Sequence, residues 1–308
     1  MKTELVVKDN ALINASYNLE LVEQRLILLA IVEARESGKG INANDPLTVH
    51  AESYINQFGV HRNTAYQALK DACDDLFARQ FSYQSLSEKG NLINHKSRWV
   101  SEVAYIDNEA VVRLIFSPAI VPLITKLEEQ FTKYEIQQIS KLTSAYAVRL
   151  YEILIVWRSV GKTPILSLSD FRQKIGVLDS EYKRMYDFKK YVLDIAIKQV
   201  NEHTDIIVKV EQHKKGRIIS GFSFTFKQKK KQEAIIKKEA ATSILTKMTD
   251  SQRHLFANKL AELPEMSSYS QGAESYAQFA IRIAEMLKDV QKIEELFPYL
   301  KKVGFKSV

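Results

Sequence analysis

The chain has 308 residues, 45% of them hydrophobic and 26% charged, the composition of an ordinary folded protein rather than a disordered or fibrous one. A single cysteine, Cys73, excludes a disulfide framework, and the scarcity of Gly (10) and Pro (6) excludes a low-complexity linker and a Gly-rich phosphate loop. The formal charge is +7 and unevenly placed: residues 1–130 hold 13 basic and 17 acidic side chains, residues 131–232 hold 20 and 10, and residues 233–308 hold 11 and 10.

Read in chain order, the sequence begins with Glu4, Lys8 and Asp9 where a secretory leader would be apolar, so a cytoplasmic protein is expected. Residues 16–36 predict a long helix with Ser16 as its N-cap and Leu19, Val22, Leu26 and Leu29 at helical spacing. Its centre, Leu26–Val32, is the longest uninterrupted apolar run and is far shorter than the roughly 20 residues of a membrane span. A strand at 47–49 leads into helices at 51–58 and 62–79 joined at Gly59-Val60, which is helix-turn-helix spacing. Strands at 81–86, 99–106 and 111–116 follow, and helices succeeded by a β-hairpin make a winged helix. Pro118 and Pro122 then punctuate the chain.

The same order returns. A helix over 144–160, a strand at 165–168 and a helix at 169–175 precede a long helix over 187–203, with Asp187 as its expected N-cap. Strands at 206–211 and 218–226 close the unit around Lys214-Lys215-Gly216-Arg217. The repeat is architectural and carries no residue identity. The fold expected is α+β: tandem winged-helix domains at 1–125 and 126–231, with a helical C-terminal tail at 232–308.

Catalytic chemistry finds no foothold. The six histidines never stand at metal-ligand spacing with one another or with Cys73, so no metal or other cofactor is expected. Gly161-Lys162-Thr163 imitates the end of a phosphate loop, but the Gly needed five positions earlier is Val156, and a helix end followed by a polar turn explains it better. Cys73 sits among Asp71, Asp74 and Asp75, which disfavour a thiolate. A protein without enzymatic activity is expected.

The basic excess of residues 131–232 points to a polyanion, and double-stranded DNA suits a winged helix. Lys183, Arg184, Lys189 and Lys190 cluster at the start of the 187–203 helix, where a phosphate would offset the repulsion of cations by the helix dipole. An i,i+4 ladder of Lys190, Asp194, Lys198 and Glu202 accounts for Lys190 but not for the others. Lys214, Lys215 and Arg217 occupy the wing tip. In the first domain the equivalent helix offers Arg62, Tyr66, Gln67 and Lys70, opposed by Asp71, Asp74 and Asp75, so only its first turn suits DNA.

Asn10-Ala11-Leu12-Ile13-Asn14, Glu23-Gln24-Arg25, Tyr146–Glu152, Asp187-Phe188-Lys189-Lys190, Ile197–Asn201 and Gly216-Arg217 with Gly221-Phe222-Ser223-Phe224 resemble the initiator Rep proteins of iteron-containing, theta-replicating bacterial plasmids. The resemblance covers about residues 5–228. It implies two winged helices on repeated origin DNA, the second supplying the main base-reading helix and the first an auxiliary contact and the dimer interface. It also implies monomers that open the origin with the host replication initiator and helicase, and dimers that repress the protein's own promoter. The family's Phe-Arg-Arg stands here as Phe188-Lys189-Lys190; lysine keeps the phosphate charge and loses bidentate readout of guanine. The alternative class is a winged-helix transcriptional repressor with no replication role, and direct repeats in the bound DNA separate the two.

Overall fold

The computed structural model describes residues 4–40, 42, 44–125, 131–229, 248–270 and 274–305; the boundaries expected at 125/126 and 231/232 touch or lie outside these residues, as do Lys230 and Lys231. The chain forms two compact units, Met1–Gln228 and Lys229–Val308.

The first unit opens with strand β1 (Leu5–Asp9), the one-turn helix α1 (Asn10–Ile13) and strand β2 (Ser16–Tyr17). Ser16 is therefore not an N-cap, because its backbone pairs with Ser82 in a sheet. Helix α2 (Leu21–Ser37) starts at Glu20 instead, whose N–H donates to the Glu23 carboxylate at 2.7 Å, and ends on Gly38 at φ +69. Every residue of Leu26–Val32 is at most 6% exposed, so this run is core.

Strand β3 (Leu47–His50) and helices α3 (Ala51–Phe58) and α4 (Arg62–Ala78) follow as expected, with the turn at Gly59. Next come β4 (Gln80–Leu86), β5 (Leu92–Arg98), β6 (Val100–Ile106) and β7 (Val111–Phe116). The β6–β7 hairpin is the wing and closes on β3, while β5 extends a second sheet in the order β2-β4-β5. Strand β5 carries no alternation to read, because most of its side chains are exposed. Trp99 lies between the two sheets, fully buried and edge-on to Tyr17 at 4.9 Å between ring centres.

After α5 (Val121–Thr125), strand β8 (Phe131–Glu135) returns to pair antiparallel with β1, Leu5 opposite Glu135 and Asp9 opposite Phe131. Helices α6 (Gln137–Ser140) and α7 (Ala145–Ile155) lead to β9 (Leu166–Ser167) and α8 (Leu168–Ile175). Helix α7 is shorter than the expected 144–160; turns carry the chain from Val156 to Gly161.

The helix over 185–203 has three parts: α9 (Met185–Phe188), a π-helical turn (Lys189–Leu193) and α10 (Asp194–His203). Asp187 is not its N-cap. The ladder already begins at the Arg184 carbonyl, which accepts the Phe188 N–H at 3.1 Å, so Arg184 takes the cap position and Asp187 the third helical one. The carboxylate still meets the positive end of the dipole there, and Lys189 and Lys190 stand beyond the first turn.

Strands β10 (Ile206–Lys215) and β11 (Ile218–Gln228) complete the second winged helix, with β9 on the far side of β11. Phe171, Phe188, Phe222 and Phe224 fill its core, none of them measurably exposed. A Cβ on Gly221 would lie 2.2 Å from the Leu166 carbonyl oxygen, so only glycine lets β9 lie against β11.

A buried polar network joins the two winged helices. Arg149 on α7 donates to the carbonyls of Ile13 (2.9 Å), Ala15 (3.0 Å) and Lys174 (2.7 Å), to Glu152 (3.0 Å) and to the Tyr17 hydroxyl. Lys8 on β1 and the Tyr134 hydroxyl on β8 each donate to Glu152 at 2.7 Å. Burial alone would raise the Glu152 carboxyl, but Lys8, Arg149 and these hydrogen bonds bring it down to about 2. The Glu152 carboxyl thus stays ionised, while burial lowers the Lys8 ammonium against the pull of Glu152, and every Arg149 nitrogen is engaged.

The second unit is helical as expected: α11 (Asp250–Ala261), a 3₁₀ turn (Pro264–Tyr269), α12 (Tyr276–Met286) and α13 (Val290–Lys302). Leu260, Met266, Phe279, Ile283, Leu296 and Leu300 form its own core. No described helix is long and apolar enough to cross a membrane.

Candidate nucleic-acid interface

In the second winged helix, α8 and the 185–203 helix make the helix-turn-helix, and Arg172 holds the turn between them. Its guanidinium donates to the carbonyls of Glu181 (2.6 Å) and Tyr182 (3.1 Å) and lies 5.0 Å over the Phe188 ring. Phe188 anchors the helix in the aromatic core, so in Phe188-Lys189-Lys190 the first residue is structural. Lys189 is half-buried, whereas Lys183, Arg184 and Lys190 are exposed. Asn201 ties the helix to the wing, accepting the Val208 N–H at 2.7 Å and donating to the Val208 carbonyl at 3.1 Å.

The wing turns at Gly216, φ +66, with Lys215 opposite Ile218 and a register shift between His213 and Lys214. Lys214, Lys215 and Arg217 are exposed at the tip. Behind them the His213 Nε2 lies 2.8 Å from the Ser223 Oγ. Arg184 pairs with Asp187 at 2.9 Å. Among the described residues, Lys183, Lys189, Lys190, Lys214, Lys215 and Arg217 have no ion-pair partner.

The expected ladder from Lys190 to Glu202 does not form. The π-helical turn takes Lys190 out of i,i+4 register with Asp194, and its ammonium lies over two rings instead, 5.8 Å from the centre of Tyr186 and 5.0 Å from that of Tyr191. Sequence reasoning passed over both tyrosines. The signal available was large apolar residues standing off the buried stripe of Phe188, Val192, Leu193, Ala196 and Val200.

In the first winged helix the candidate side chains are already engaged. Arg62 faces Glu52 at 3.6 Å, Gln67 donates to Asp71 at 2.7 Å, and Lys70 pairs with Asp107 on the wing turn at 3.0 Å. Tyr66 is half-buried against the core. Hydrogen bonding to Asp107 raises the Lys70 ammonium, which fixes its proton but not its availability.

Two other motifs are structural. Gly161, Lys162 and Thr163 run along β11, where the Thr163 N–H donates to Phe224 at 2.9 Å and the Gly161 carbonyl accepts from Phe226 at 2.8 Å. Cys73 is 4% exposed, and burial, with Asp74 beside it, pushes its thiol up to about 12. Among the described residues no cluster of His, Cys, Asp or Glu is placed to hold a metal ion.

Residues 5–155 match the family described as Initiator Replication protein, WH1, and residues 167–226 match Initiator Rep protein, WH2. A replication initiation protein of Escherichia coli is 24% identical over 221 residues, covering 70% of this chain and 67% of its own. Of solved structures, the Pi initiator protein in complex with iteron DNA is 22% identical, with a TM-score of 0.60 over 75% of this chain and 99% of that one, a likeness of fold. The WH1 domain of MSBI1.176, a replication protein isolated from a multiple sclerosis patient, is 71% identical over 36% of this chain and 82% of that one, with a TM-score of 0.31.

Proposed function

The chain belongs to the initiator replication protein family, and from that premise we propose that it starts plasmid replication by binding repeated origin DNA through its second winged helix. One observation carries the reading: the unpaired cations Lys189, Lys190, Lys214, Lys215 and Arg217 stand on the helix and wing with which a winged helix meets duplex DNA, and Lys183 in the turn that leads into that helix. The 185–203 helix enters the major groove while the wing tip lies on phosphates. Half-buried Lys189 has the reach for a phosphate rather than a base edge, and its lysine head lacks the fork that reads guanine.

The first winged helix, through Arg62, Tyr66, Gln67 and Lys70 on α4, adds an auxiliary DNA contact and supplies the dimer interface. Support for a dimer there comes from the outer strand β5, whose Leu92 is 58% exposed beside Leu86 at 69%. Dimers hold the protein's own promoter; monomers open the origin together with the host replication initiator and helicase. The helical tail is dispensable for DNA contact, since residues 233–308 hold 11 basic and 10 acidic side chains.

The test is a footprint on the DNA upstream of the protein's own gene, joined to replication of a plasmid carrying only that gene and that DNA. Protection at regularly spaced direct repeats, with replication, is the expected result. One isolated protected operator without replication would instead make the protein a repressor.

A further inference from the structure

The outward face of the 185–203 helix is not uniformly polar. Tyr186 is 69% exposed, Tyr191 46% and Ile195 38%, although none belongs to the buried stripe. A helix that packs one side on a core ordinarily shows charged and polar residues on the other. Within the π-helical turn Lys190 and Tyr191 are both exposed and Val192 and Leu193 both buried. The Lys190 ammonium then lies over both tyrosine rings, so the three side chains form one outward-facing group.

A phosphate could take a tyrosine hydroxyl, but it offers the ring faces and the Ile195 side chain nothing. In the major groove of duplex DNA the one apolar group on a base edge is the 5-methyl of thymine. We propose that Tyr186, Tyr191 and Ile195 are specificity-determining residues that read thymine 5-methyl groups in the bound repeat, with Lys190 holding the two rings in place. The inference rests on the reading that this helix faces DNA. It accounts for how a recognition helix without arginine forks on its outward face selects a sequence: it senses methyl positions and leaves Lys183 and Lys189 to the backbone.

The experiment uses the full chain and a duplex carrying the repeat protected upstream of its own gene, with each thymine replaced in turn by uracil, which removes only the methyl. Wild-type affinity is expected to fall about fourfold at each contacted thymine, the worth of one buried methyl group. Tyr186→Ala, Tyr191→Ala and Ile195→Ala should each become indifferent to uracil at one such position. Affinity for random DNA, the salt slope and the melting temperature should stay as in wild type. Tyr191→Phe should keep the sensitivity. Indifference of the wild type to every uracil, or alanine variants as sensitive as wild type, would overturn the proposal. Lys189→Ala/Lys190→Ala on the same duplex separates the two failures. If that variant loses affinity while the alanine variants keep their uracil sensitivity, only the methyl reading falls; if neither set changes binding, the helix does not face DNA at all.

Discussion

Helix α4 and the 185–203 helix hold the same place in two winged helices of one chain, yet their cations are in opposite states. On α4 the acids of the same domain have taken the basic groups: Glu52 for Arg62 and Asp107 for Lys70. On the 185–203 helix Lys189 and Lys190, and in the turn before it Lys183, have no such partner among the described residues, and the wing repeats the pattern. Charge available to a polyanion is thus decided by pairing, not by count. Exposed pairs of this kind are each worth only about 0–1 kcal/mol, so the cations of the first helix are restrained only lightly.

The largest expected effect tests whether the two regions are one body. Arg149→Met leaves three carbonyls without the guanidinium that joins them and Glu152 with Lys8 as its one cationic partner, and should cost about 3–5 kcal/mol in urea unfolding. The acid limb follows from the same network. With the Glu152 carboxyl brought from 4.5 to about 2 on folding, its contribution is fully present above pH 4.5 and is lost as pH falls towards 2. In Glu152→Gln that part of the pH dependence should vanish, which a urea series across this range would show.

Next, Lys189→Ala/Lys190→Ala should lower the slope of log K against log salt by about two if each lysine neutralises a phosphate. At 0.1 M salt that is about a hundredfold in affinity, alike for specific and random duplexes. A loss confined to the specific site would assign one of the two to base reading. In the opposite direction, Asp107→Asn frees Lys70 and should bring the first helix closer to the second in character. Random-duplex affinity should rise by up to about tenfold and the slope by about one, measured by the same titration. The smallest effect belongs to Asp194→Ala. Without an ion-pair partner among the described residues, Asp194 should contribute at most a few tenths of a kcal/mol, and its removal should leave binding unchanged or slightly tighter.

Much of this architecture is legible in the residues. The helices α3 and α8 declare themselves by apolar spacing and a closing glycine, α4 by apolar spacing alone, and both wings by alternating strands around polar turns. The cap of α2 is hidden because Glu20 does by a reciprocal bond with Glu23 what Ser or Asp does directly. Strands β1 and β8 are short, and their pairing joins residues far apart in the chain. Of the candidate interface, the identity of the cations is readable but their state is not. Lys70 meets Asp107 across 37 positions, and the π-helical turn that takes Lys190 away from Asp194 leaves no periodic mark. The motifs Tyr146–Glu152 and Asn10–Ile13 carry the family resemblance, yet their part here is to build the junction, through Arg149, Glu152 and the Ile13 carbonyl.

The pairing of β1 with β8 also sets the order in which the chain can fold as it is synthesised. Leu5–Asp9 emerges first, but its partner Phe131–Glu135 follows some 126 positions later, a wait of roughly 6–25 s at ordinary ribosomal speeds of about 5–20 residues per second. Until then Val6 and Val7 lack the strand that pairs with theirs, and the Lys8 ammonium waits longer still, for Glu152, the carboxylate that neutralises it. A product cut short before Phe131 keeps that open edge permanently, so premature termination releases a fragment suited to pairing with its own kind rather than a smaller, finished first domain.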